Sequence, residues 1–294
     1  MTPMERDLQL GGGDPPDGAP GDGSIPLARP IEFNSPATPD SEIHLLSISR
    51  AGAWSDILIF ILLFVSLDAI VQVLVARLLK WHTGAEWDTD DVARVQTHRA
   101  LLIPMLLWRA ALAVSVIGYI VRRRGGNLRS VGVSSRNPAL DLLIGVGAAI
   151  ATGVATWTVV LSLAYMFPAF AEQLQENSGR IMERVPKASP ATFAMMTLLI
   201  GLYEELIFRG FLMPRLRRAI GSWTAAVLLS TALFAALHMF DQVAAALVLV
   251  TILSVMFSVV TIWRRSIVPA IVAHALFDLA MFLQLYYLAG DQWK

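Results

Sequence analysis

The sequence contains no cysteine. Disulfides, thiolate metal sites and a cysteine nucleophile are thereby excluded, while the redox compartment stays open. It also lacks any excess of one charge. Its 23 Lys and Arg balance its 23 Asp and Glu, so no global basic field draws nucleic acid, and none is expected as a partner. Neither an HExxH zinc signature nor a GxSxG nucleophile elbow occurs. The opening stretch, MTPMERDLQLGGGDPPDGAPGDGSIPLARP, holds Gly, Pro and Asp where a signal peptide needs an apolar core. Residues 1–48 are therefore expected to form a disordered tail ahead of one integral membrane domain over residues 49–294.

What the chain does have is apolar length. Of its 294 residues 55% are hydrophobic and 16% charged, with a mean hydropathy of +0.59. That composition suits an all-α polytopic protein whose partner is the lipid bilayer. Seven segments approach the ~20 residues that a spanning helix needs: Trp54–Leu79, Ala100–Val121, Ala139–Phe167, Pro190–Met213, Ser222–Phe240, Val243–Trp263 and Ser266–Leu288. Very short turns join the last four, which predicts a compact C-terminal four-helix core. Between them and the third segment, Pro168–Ser189 mixes apolar and charged residues and suits a helix lying at the interface. Arginine clusters at Arg122–Arg124, Arg215–Arg218 and Arg264–Arg265 follow the second, fourth and sixth segments. With seven spans they share one face, which predicts a cytoplasmic N-terminus in the cell (inner) membrane.

Ionisable groups inside spans cost ~2.5 kcal/mol or more at the helix centre and are functional candidates by default. The C-terminal half holds Glu204, Glu205, Arg209, His238, His274 and Asp278. Glu205 and Arg209 stand four apart, share a helix face and can offset each other's burial. Glu204 points about 100° away from Glu205, which leaves its carboxylate for chemistry. Glu204 lies 17 residues before Gly221 and His238 lies 17 after it. An antiparallel hairpin turning there sets the two at one depth. His274 and Asp278, also four apart, either satisfy each other as a buried Asp–His hydrogen bond or complete a site with Glu204 and His238. Asp68 in the first span and Arg109 in the second are expected to pair across helices, without a catalytic role.

A carboxylate and a histidine at one depth suit general base catalysis of hydrolysis. Two histidines and a carboxylate (His238, His274 and Glu204) are also donor types that zinc accepts with a water in the open position. The spacing does not signal a metal or other cofactor.

The motifs EELIFR (Glu204–Arg209), FAALH (Phe234–His238) and HALFD (His274–Asp278) resemble the EExxxR, FxxxH and HxxxN patterns of the CPBP family, the CAAX protease and bacteriocin-processing or Abi group, which includes the type II CAAX prenyl endopeptidases. The resemblance runs from about residue 127 to residue 290. It implies an intramembrane glutamate-type peptidase acting on a peptide, or on a membrane or lipid-anchored protein. It also implies site residues: Glu204 as general base with His238, His274 and Asp278 at the oxyanion, and Glu205 and Arg209 bracing them. One departure is Asp278, where the family's best-known members carry Asn. An ionised Asp donates no hydrogen bond, so Asp278 is protonated, orients His274, or marks a different activity. A non-proteolytic scaffold, immunity or regulatory protein of the same family is the alternative reading. A proton or ion pathway is the third, against which stand the absence of repeats and the clustering of charge in one half.

Overall fold

The computed structural model describes residues 48–83, 100–133, 137–185, 187–239 and 242–288. The tail expected over residues 1–48 lies, apart from Ile48, outside the described residues. Among the described residues all regular structure is helical: α1 (Arg50–Thr83), α2 (Leu102–Arg123), α3 (Pro138–Met166), α4 (Pro168–Arg184), α5 (Pro190–Glu205), α6 (Met213–Ile220), α7 (Trp223–His238), α8 (Ala244–Arg264) and α9 (Val268–Leu283). A π-helical stretch, Leu206–Leu212, joins α5 to α6 without a break, and another, Gln284–Leu288, extends α9. Among the described residues six helices are long and apolar enough to cross a membrane: α1, α2, α3, the fused α5–α6, α8 and α9; α7, at Trp223–His238, is apolar but shorter. The protein is an integral membrane protein of all-α class.

Local sequence sets the helix ends. Asn137 accepts from Leu140 N at 3.1 Å, Ser189 from Thr192 N at 3.2 Å and Ser222 from Ala225 N at 3.3 Å. These are N-cap bonds, and Pro138 and Pro190 stand in the first turns of α3 and α5. Gly221, at φ 94°, ends α6 in the left-handed conformation that glycine adopts without strain. The amphipathic segment expected at the interface is helix α4. Its Asn177 and Gln173 side chains accept from Val243 N and Ala245 N at 3.1 and 3.2 Å. The polar face of α4 thereby satisfies orphan donors at the start of α8.

The core centres on α9, which packs most extensively against α3 and α5. The third span therefore joins the C-terminal helices rather than standing apart from them. Contact with α3 is close because Gly145 lacks a side chain: a Cβ there would sit 2.6 Å from Val272 Cβ and 2.9 Å from the Pro269 carbonyl. On α5, a Cβ at Gly201 would lie 3.1 Å from the Ile271 carbonyl. Such small-residue contacts are how spanning helices approach when lipid gives no hydrophobic drive. Farther along the antiparallel α5–α9 pair, Phe193 stacks on Phe282 at 5.2 Å. Helices α1 and α2 cover the other side through Phe60, Ile117 and Ile120, packed with Phe208 and Phe211 of the π-helical stretch.

Arginine–carboxylate pairs lace the helix ends. Asp56 of α1 accepts from Arg124 Nη2 at 2.9 Å and from Arg215 Nε at 3.2 Å. Asp141 of α3 accepts from Arg264 Nη2 at 2.7 Å. One arginine in each of the three basic clusters is thus tied to a nearly fully buried carboxylate (Asp56 2% and Asp141 1% exposed) and serves the fold as well as the charge pattern.

Candidate active site

Helix α5 delivers Glu204 and Glu205 at its last turn, and the π-helical stretch that follows carries Arg209. All seven residues of that stretch are buried. π-helical turns inside α-helices are frequent at functional sites. Glu205 Oε1 accepts from Arg209 Nη1 at 2.9 Å, with both side chains 0% exposed. Arg209 Nη2 also donates to the Ser254 carbonyl of α8 at 3.1 Å. The guanidinium lies 4.8 Å from the centre of the Phe234 ring and 5.8 Å from that of Phe257, an aromatic cradle for a desolvated cation.

The same Glu205 oxygen lies 2.8 Å from His274 Nδ1 on α9. The other ring nitrogen, His274 Nε2, stands 3.3 Å from Asp278 Oδ2 and 3.8 Å from Glu204 Oε2. Both imidazole nitrogens therefore face carboxylate oxygens. Exposure separates the acids: the Glu204 and Asp278 side chains are 15% and 17% exposed, whereas Glu205 is sealed. Of the adjacent glutamates, Glu204 is the one left partly exposed.

His238 approaches by a different route. Its Nδ1 bonds the Phe234 carbonyl at 2.8 Å; a carbonyl only accepts, so Nδ1 carries the proton and Nε2 is left for another partner. The Phe234 ring contacts the His238 ring at 4.6 Å and the His274 ring at 6.5 Å. Among the described residues no hydrogen bond or ion pair joins His238 to Glu204 directly. Glu204, Glu205, Arg209, His274 and Asp278 form one connected set, with His238 one aromatic ring away. Among the described residues no group of three His, Asp or Glu side chains is placed to hold a metal ion.

Residues 186–280 match the family model described as type II CAAX prenyl endopeptidase Rce1-like. The Rce1-like match is shorter than the stretch from residue 127 over which the motifs suggested likeness, but it takes in all six polar residues just described. No curated protein and no solved structure matches the chain significantly.

Sequence reasoning passed over several contributors around this centre. Tyr203 donates its hydroxyl to Glu204 Oε1 at 3.1 Å; an aromatic residue in an apolar run carries no signal, although its place beside Glu204 could have drawn notice. Ser254 contributes a backbone carbonyl, which no side-chain pattern reveals. Asp68 and Arg109 do pair across α1 and α2, at 3.4 Å. A cavity of about 760 Å³ lies alongside α9, walled by Val146, Ile150 and Trp157 of α3 and by Leu276, Phe277 and Ala280. None of the six polar residues of the site lines it.

Proposed function

We propose that the protein is an intramembrane endopeptidase that hydrolyses a peptide bond in a membrane-associated or lipid-anchored protein or peptide. The observation that carries this reading is the difference between adjacent glutamates. Glu205 is sealed, its Oε1 held by Arg209 and His274, while Glu204, 15% exposed, is free to meet water at the edge of the same cluster.

Glu204 acts as general base. Its carboxylate takes a proton from a water as that oxygen bonds to the substrate carbonyl carbon, and the carbonyl π electrons move onto oxygen. His238, with Nε2 unoccupied, orients the water. Collapse of the tetrahedral adduct breaks the C–N bond, and the proton held on Glu204 passes to the leaving amine. Asp278, 3.3 Å from His274 Nε2, orients that ring, and His274 stabilises the oxyanion when substrate displaces Asp278 from it. Glu205 and Arg209 brace the set. The apolar cavity along α9 suits a substrate that arrives from the bilayer rather than from water. The three arginine clusters support a cytoplasmic N-terminus in the cell membrane.

The test compares new peptide termini in membranes of cells carrying wild type or Glu204→Gln at matched abundance. Termini that disappear in the variant support the peptidase and name its substrates. Unchanged termini, with the variant still rescuing a deletion phenotype, would leave the non-proteolytic scaffold.

A further inference from the structure

Residues 186–280 leave out a polar cluster on the first two helices. In α1, Asp68 Oδ2 accepts from Gln72 Nε2 at 2.6 Å and pairs with Arg109 Nε of α2 at 3.4 Å. Asp68 Oδ1 is buried without a hydrogen-bond partner among the described residues, and so is the indole Nε1 of Trp108. Charges on spanning helices that are incompletely satisfied call for a reason beyond packing. Helix α2, tied to α1 by that pair, packs against α5, and Trp108, next to Arg109, packs on the same apolar cluster as Tyr203 and its hydroxyl-bearing ring. That hydroxyl is the one bonded to Glu204.

Glu204 consequently has its two oxygens divided. Oε1 is engaged by Tyr203 at 3.1 Å. Oε2 faces His274 Nε2 at 3.8 Å, beyond hydrogen-bond length. A carboxylate with both oxygens loose would sample rotamers and present either lone pair; a base has to hold one oxygen towards its water. The Tyr203 ring is itself set between two packed clusters, one with Phe208 and Phe234, the other with Phe193 and Phe282. A tyrosine serving only as bulk has no need to aim its hydroxyl at a carboxylate.

We propose that Tyr203 is a positioning residue for Glu204, braced from the first two helices by the Arg109–Asp68 pair. It occupies Oε1, so that Oε2 is the oxygen presented to water. The reactive centre then draws on helices outside the family-matched segment. The catalytic half of this inference rests on the peptidase reading; the structural half does not, and the experiment separates them.

The probe is dicyclohexylcarbodiimide, an apolar reagent for intramembrane carboxyl groups, applied to the full chain in detergent with adducts at Glu204 counted by mass spectrometry. Tyr203→Phe keeps the ring and removes the donor. It is expected to speed labelling of Glu204 roughly tenfold, the scale of one hydrogen bond to a charged group, while labelling of the exposed Glu176 and the thermal midpoint stay at wild-type values. Arg109→Gln is expected to move the Glu204 rate in the same direction by a smaller factor. An unchanged Glu204 rate in Tyr203→Phe overturns the proposal, and an unchanged rate in Arg109→Gln removes the brace from it. On a substrate named by the terminus comparison, Tyr203→Phe should lower kcat roughly tenfold with KM within about twofold. A change confined to KM would make Tyr203 a binding residue and contradict the proposal. If Glu204→Gln leaves all termini intact, the peptidase reading falls while the labelling result still decides what Tyr203 does to Glu204.

Discussion

Arg209→Met removes the guanidinium and leaves its neighbours in place, and the structure sets the size of the effect. Arg209 and Glu205 are both 0% exposed, so solvent screens nothing. The change deletes the 2.9 Å bond to Glu205, the 3.1 Å bond to the Ser254 carbonyl and the stacking on Phe234. Glu205 Oε2 already has no hydrogen-bond partner among the described residues, so the stranded carboxylate keeps only His274. Breaking one side of a buried ion pair costs about 3–5 kcal/mol, whereas replacing both partners by neutral groups of similar volume is often neutral. Arg209→Met is therefore expected to lose about 3–5 kcal/mol, and Glu205→Gln/Arg209→Met to recover most of that. The assay is reversible unfolding in mixed micelles titrated with dodecyl sulfate, followed by tryptophan fluorescence and circular dichroism. A single variant within about 1 kcal/mol of wild type, or a double variant as unstable as the single, would refute the reasoning, because the pair would then not be a mutually compensated buried charge.

Three further outcomes are expected. Gly145→Ala puts a methyl 2.6 Å from Val272 Cβ and should destabilise by about 1–3 kcal/mol through overpacking; Gly147→Ala, with nothing within 4 Å, should be neutral or stabilising by up to ~1 kcal/mol, both read in the same unfolding assay. Asp56→Ala strands Arg215, which is 1% exposed, and should cost about 3 kcal/mol or more by that measurement. Asp278→Asn should retain cleavage within roughly tenfold, because an amide can still accept from His274, whereas Asp278→Leu should abolish it; rates on an identified substrate check both.

How much of this was legible in the sequence depends on the range of each interaction. Glu205–Arg209 and His274–Asp278 are four residues apart, and helical period alone brings each pair together. Asp68 and Arg109 were readable as a pair because both are charges stranded in otherwise apolar spans. Asp56, Arg215, Asp141 and Arg264 were not, since each lies near a helix end where a charge needs no explanation, and Asp56 and Arg215 are 159 positions apart. The bridging of Glu205 to His274 spans 69 positions and follows from the close approach at Gly201, which a lone glycine does not announce. The π-helical stretch Leu206–Leu212 has no composition of its own: its residues would serve equally in an α-helix. That stretch carries the buried arginine, so the backbone detail nearest the chemistry was the least visible. The turn at Gly221 was readable, but the Phe234 ring in contact with both His238 and His274 required coordinates.

The most direct test of the central claim remains Glu204 itself. Membranes from cells expressing wild type or Glu204→Gln at matched abundance should differ in a defined set of new peptide termini, all of them absent from the variant. Termini that persist unchanged, in a variant that still supports the biological role, would contradict a water-activating Glu204 and with it the peptidase.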